Sequence, residues 1–369
     1  MTSRLLANID AEIERAPDEI SADCWRARRA CYLARMGYID NVKASLLPIR
    51  ERYDRKPIAI VAVWLNLAEG LACFFGGMDE QALEKIRRAH ALAAAADLSS
   101  MRALCAGWLA HLEFGLLRTD QMTVHLEEAL NYAESSAHDT LSRASLVVAV
   151  ALHSSNRYDL AKPWYSEVRL HAVAEGDDAT LSALLHNMTS MGVMNLRQAV
   201  LTGAGESRLA LDALMGADST SSYDSLKGTL SLTTWVPLLR AYVASLVGDP
   251  EHALVLYGEH VQEAMKQGQG RMMPYIQADT AWCQIQIGQT EAARQGANDA
   301  ERILDVKVHV DDRAATHSRL SATYSALGLE GLAKKHELLA TEAWNDFWHL
   351  QSRVVDSLSH LTPKGTGGA

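Results

Sequence analysis

Residues 247–257 read VGDPEHALVLY. Gly248 accepts the left-handed conformation that ends a helix. Asp249 caps the next helix, Pro250 fits its first turn, and Glu251 suits the positive end of its dipole. Ala253 stands five residues after the glycine, where two helices cross closely, and Tyr257 fills a large position four residues further on. One short stretch therefore spells out a complete helix–turn–helix crossing.

The same signature recurs as Gly77 with Ala82, Asn156 with Ala161, Gly205 with Ala210, Gly288 with Ala293, and Gly328 with Ala333. Gly37 with Val42 and Arg118 with Thr123 are weaker copies. Successive anchors lie 40, 41, 38, 49, 43, 40 and 40 residues apart. Self-similarity at such a period marks stacked supersecondary units. Gly77-Met78-Asp79-Glu80 repeats the acidic helix start, and small residues return seven positions after the alanine at Ala89, Ala217, Ala300 and Ala340. A leucine forced into such a crossing would cost ~1–3 kcal/mol by overpacking.

This pattern resembles the tetratricopeptide repeat. Tyr165, Leu214 and Tyr257 fill its large position, Leu46 and Ile86 fill it aliphatically, and Glu127 and Glu337 depart from it. Gly70 matches the close-packing glycine of the first helix, seven residues before its anchor. The longer repeat is similar to the arrays of bacterial regulators such as the maltose-regulon activator and the peptide-sensing quorum receptors, over roughly residues 20–345. The resemblance implies an all-α, right-handed α-solenoid of about eight antiparallel helix pairs with a C-terminal capping helix.

Composition agrees with a helical globular chain. Of 369 residues 48% are apolar, 22% are charged and only 8 are proline. Lys and Arg number 35 against 45 Asp and Glu, a net charge of −10, which argues against a nucleic-acid partner. Charges at Arg4, Asp10, Glu12 and Glu14 interrupt any signal-peptide core, and the longest apolar run is taken as Leu146–Leu152. The expectation is a cytoplasmic chain with no membrane partner. Cys24, Cys31, Cys73, Cys105 and Cys283 form no metal-ligand spacing and read as reduced, buried thiols.

The array divides into residues 1–215 with repeats one to five, a flexible polar loop at 216–229, residues 230–361 with repeats six to eight and the long last helix, and a disordered linker tail at 362–369. The widest gap holds a lengthened first helix from about Ala179 to Thr202, and Gln267–Pro274 forms a shorter loop. The tail has the composition of a linker that leads to an output module.

No phosphate-binding loop, HExxH or nucleophile elbow occurs. Gly203-Ala204-Gly205 reads as a helix end, and His309 with Asp311 and Asp312 as a solvated turn. Neither a metal, a cofactor nor a catalytic residue is expected. In the resembled family the first helix of each pair lines a concave groove. Counting back from the anchors places Trp64, Trp108, Arg143, His153, Trp235, Tyr242, Tyr275, Trp282 and Gln286 there. Tryptophan and tyrosine supply large contact areas, and the polar members would orient a ligand. His153 alone also reads as a satisfied helix-end histidine. Asn66, Asn187 and Asn195 lie on first helices, and peptide-sensing relatives use such amides; Asn187 is the most exposed of them.

Ala340, Phe347, Val354 and Leu361 recur every seven residues, with Ala343 and Leu350 in the seam. This stripe reads as a cap over the last repeat, or as a face through which two copies pair into a homodimer. The whole reading is a non-enzymatic binding module, the sensory or scaffolding part of a bacterial regulator, whose groove takes a peptide, a protein partner or a small ligand. A structural adaptor, and an enzyme or accessory domain using the groove as a pocket, are the alternatives.

Overall fold

The computed structural model describes residues 3–77, 80–204, 207–231, 233–305 and 308–364. Among them every regular element is helical. The chain forms α1 (Arg4–Arg15), α2 (Glu19–Arg35), α3 (Ile39–Tyr53), α4 (Ala59–Gly77), α5 (Gln81–Ala95) and α6 (Ser99–Gly115). Next come α7 (Thr119–Tyr132), α8 (His138–Ser154), α9 (Tyr158–Glu175), α10 (Asp178–Leu201), α11 (Ser207–Lys227) and α12 (Trp235–Val247). The series ends with α13 (Pro250–Lys266), α14 (Met273–Gln286), α15 (Thr290–Ile303), α16 (Val310–Ala326) and α17 (Glu330–Leu358). A short 3-10 turn at Gln269–Met272 occupies the expected loop between α13 and α14.

From α2 onward each even-numbered helix pairs with the one that follows, and the pairs stack side by side. The alanine ladder lies in these contacts: Ala82, Ala161, Ala210, Ala253, Ala293 and Ala333 are all buried. Gly37, Asn156, Gly248, Gly288 and Gly328 adopt the left-handed conformation at their helix ends. The Asp249 side chain accepts a hydrogen bond from the His252 amide at 3.3 Å, and Pro250 opens α13. A Cβ on Gly70 would stand 2.5 Å from Ile86 Cγ1, so α4 and α5 touch where only glycine fits.

Three expectations need correction. In the third repeat the left-handed residue is Leu117 (φ 56°), not Arg118; the repeat positions become Met122, Leu126 and Ala129, all buried. In the fifth, Gly203 (φ 79°) terminates α10, while Gly205 lies outside the described residues. The polar segment 216–229 is no flexible loop: α11 runs through it to Lys227. Its polar groups are satisfied by α10. Asp224 accepts from Ser182 Oγ at 2.6 Å and lies 2.6 Å from His186 Nε2, and Tyr223 donates to Asp178 at 3.1 Å. Of the tail, residues 365–369 lie outside the described residues, whereas Lys364 donates to the carbonyls of Leu130 and Ala133.

The array curls until distant repeats meet. The Leu230 amide donates to Met36 O at 2.8 Å, Ser231 Oγ to Arg35 O at 2.7 Å, and Tyr38 OH to Gly228 O at 2.9 Å. α10 touches α16, where fully buried Arg197 donates to Asp311 and Asp312, each at 2.7 Å. The first half of α17 packs on α16, and its second half crosses back to α7 and α8. Leu350, Val354 and Leu358 are buried in that core, and Gln351 donates to Ser154 O at 2.8 Å. The heptad seam offered to a second copy is thus covered by the chain's own helices.

α4 is long and apolar enough to cross a membrane, a stretch the sequence reading passed over in favour of Leu146–Leu152. Here Val61, Val63, Leu67, Ala68 and Leu71 of α4 are buried in the first core.

Candidate functional site

The first repeats enclose a small cavity of about 40 Å3, bounded by α2, α4, α6, α8 and the start of α10, with Leu5 and Ile9 of α1 as its roof. Polar groups concentrate on its walls. Arg35 donates to both oxygens of Asp177, at 2.8 and 2.6 Å, and to Thr180 Oγ1 at 2.6 Å. Arg28 reaches Glu175 at 2.5 Å and Asp139 at 3.2 Å. These pairs tie α2 to α8 and to the turn between α9 and α10. Asp177 also caps α10 by accepting from the Thr180 amide at 3.0 Å.

Arg143 differs from its neighbours. Its guanidinium carbon sits 3.7 Å from the centroid of the Trp108 ring, and the side chain is buried. No carboxylate pairs with it among the described residues, and its Nε has no hydrogen-bond partner. The stem lies over Gly107, where an added Cβ would meet Arg143 Cγ at 3.4 Å. Burial, and then the charge of Arg35, press the Arg143 guanidinium down to about 9. Burial and the neighbouring Asp139 raise the Glu175 carboxyl to about 7. Burial also pushes Asp177 upward, but Arg35 and the Thr180 bonds outweigh it and hold that carboxyl below its usual value. The walls carry three guanidinium groups, Arg28, Arg35 and Arg143, and three carboxyls, Asp139, Glu175 and Asp177.

A buried guanidinium 3.7 Å from an indole centroid, with its Nε unpaired, is suited to an oxyanion. The space admits a water molecule or two, or the terminal oxygen atoms of a larger ligand.

Of the residues expected to line the groove, Trp64, Trp108 and Arg143 converge here. The others do not. Tyr242 and Tyr275 are fully buried and cross edge-to-face at 5.0 Å; they offer no surface to a ligand. Trp235 is buried with its Nε1 donating to Ser190 Oγ at 2.7 Å. His153 is buried 3.1 Å from Tyr165 OH, the helix-end alternative. The Asn187 amide donates to Ala183 O of its own helix at 2.7 Å, and Asn66 to Ala62 O at 2.7 Å. Asn195 donates to His153 O at 3.2 Å. Trp282 is half-buried beside Arg319, 5.7 Å from its guanidinium carbon, and Gln286 is exposed.

Arg28, Arg35, Asp177 and Glu175 were missed. Their signal was present: Arg28 and Arg35 stand two turns apart on the face of α2 that also carries Cys31. Cys24, Cys31, Cys105 and Cys283 are free; burial raises Cys24 to about 11 and Cys31 and Cys283 to about 12. A scan of protein-family models and a search of curated proteins each find no match to this chain.

Proposed function

We propose that this chain is a non-enzymatic binding module built as a right-handed, tetratricopeptide-like solenoid of about eight helix pairs. It takes the anionic group of a small ligand or peptide in the cavity beside Trp108. The reading rests on one observation: Arg143 is buried against that ring without an acidic partner. Leaving a guanidinium dry and unpaired is costly, and a bound oxyanion would relieve it. Roofing by α1 gives the ligand a handle on the chain's first helix, as a sensory part of a bacterial regulator requires. The free thiols of Cys24, Cys31, Cys105 and Cys283 fit a reducing, cytoplasmic setting.

The test is a thermal-shift screen of small carboxylates, phosphates and short peptides on the intact chain and on Arg143→Met. A ligand at a hundred times its dissociation constant should add about 2.7 kcal/mol of stability. That gain should vanish in Arg143→Met and shrink in Trp108→Leu. A ligand that stabilises both variants as well as the parent would refute the assignment.

A further inference from the structure

We infer that α5 and α7 carry a transition-metal site made by His90, His125 and Glu128. His90 comes from α5, and His125 and Glu128 stand three residues apart on one face of α7. Glu128 Oε2 lies 2.8 Å from His90 Nε2 and 3.7 Å from His125 Nδ1. All three ligand atoms fall within 4.8 Å of one another. Metal–ligand bonds of roughly 2.0–2.2 Å make a tetrahedron whose edges are about 3.3 Å, so one ion fits among these atoms with small side-chain adjustments.

Two further observations point the same way. His125 Nδ1 is buried, 3.7 Å from Glu128 Oε2, and has no hydrogen-bond partner. Glu128 divides its oxygens: Oε1 accepts from Arg102 Nε on α6, and Oε2 is left to the two imidazoles. A carboxylate ligand whose second oxygen is held from behind is a common outer-shell arrangement. Two imidazoles and one carboxylate suit zinc or another late first-row divalent ion, with a fourth position for water or a partner's ligand.

The other histidine clusters differ: His336 Nε2 is also unpartnered beside Glu301, but Lys335 and Tyr324 occupy both oxygens of that carboxylate. His309, Asp311 and Asp312 are already engaged by Arg271 and Arg197. His138 and His171, and likewise His317 and His336, bond to each other through Nδ1 at 2.9 Å. The site lies apart from the Arg143 cavity, so the two proposals stand or fall separately.

The experiment titrates the chelator-treated full chain with Zn2+ by calorimetry and with Co2+ by visible absorption. One equivalent should bind, and Co2+ should give the intense visible bands of four-coordinate geometry. His90→Ala and His125→Gln should each lose that equivalent, while Asp311→Asn keeps it. Circular dichroism verifies the fold, and either histidine variant suffices if the other does not fold. No binding by the parent chain, or full binding by a folded histidine variant, overturns the inference.

Discussion

A methyl group decides several contacts in this molecule. Gly70→Ala places a Cβ 2.5 Å from Ile86 Cγ1. Urea unfolding should show a loss of ~1–3 kcal/mol, the usual effect of overpacking; an unchanged midpoint would mean that Ile86 swings clear. Protonation acts at the same scale. Burial holds His153 at about 4, and burial together with His336 holds His317 at about 4, both below the ordinary 6.5. A depressed folded value contributes stability that is complete above 6.5 and is lost as pH falls towards 4. Glu175, raised to about 7, acts in the opposite sense: its contribution is present below its ordinary 4.5 and is lost as pH rises through 7. His111, pressed to about 3 by burial and then Arg143, joins the histidines. Melting temperature should therefore fall between pH 7 and 4.5, and a flat or rising profile would contradict this balance. Much of this scale was legible beforehand. The alanine ladder announced close crossings because few other side chains fit them. Leu117 was hidden because a left-handed leucine carries no compositional mark, so the third repeat was read one residue late.

At the scale of helices, α1 is held by a few polar contacts. Ser3 Oγ donates to Gly176 O at 3.2 Å, and Arg4 donates to Ala174 O at 2.8 Å at the end of α9. Gly176 is left-handed (φ 78°), and a Cβ there would meet Arg4 Nε at 2.5 Å. Gly176→Ala should loosen α1 over the cavity, seen as faster hydrogen exchange in Leu5–Ile13 with α4 and α6 unchanged. Equal protection in both proteins would show that Leu5 and Ile9 alone anchor the helix. At the other end, Leu350→Ala with Val354→Ala should expose the distal half of α17 to limited proteolysis, and persistent resistance would argue against its role as a brace. The turns between helices were readable from the repeated anchors. The second half of α11 was not readable, because its buried Thr220 and Asp224 are polar and are answered by partners on α10 that no local pattern can show.

For the whole molecule, the repeat period told how neighbours stack but not how far the stack turns. Small differences in crossing angle accumulate along the array, and only their sum brings Gly37 against Leu230 and Ser231. Tyr242, expected in the groove, is buried instead against Trp235, Tyr257 and Tyr275 of its own and neighbouring helices. A Cβ on Gly37 would stand 2.6 Å from Ser231 N, at a residue that is already left-handed (φ 90°). Gly37→Ala should open this closure and enlarge the radius of gyration in small-angle scattering; an unchanged radius would show the closure to be incidental. The returning half of α17 has a further consequence. Open solenoids melt as a chain of nearest neighbours, shedding end units first. Here the last helix is stapled to α7 and α8, so the terminal units cannot fray independently of the middle. Trimming one unit from the carboxyl end would not shorten a ruler by one division; it would pull the clasp from a bracelet.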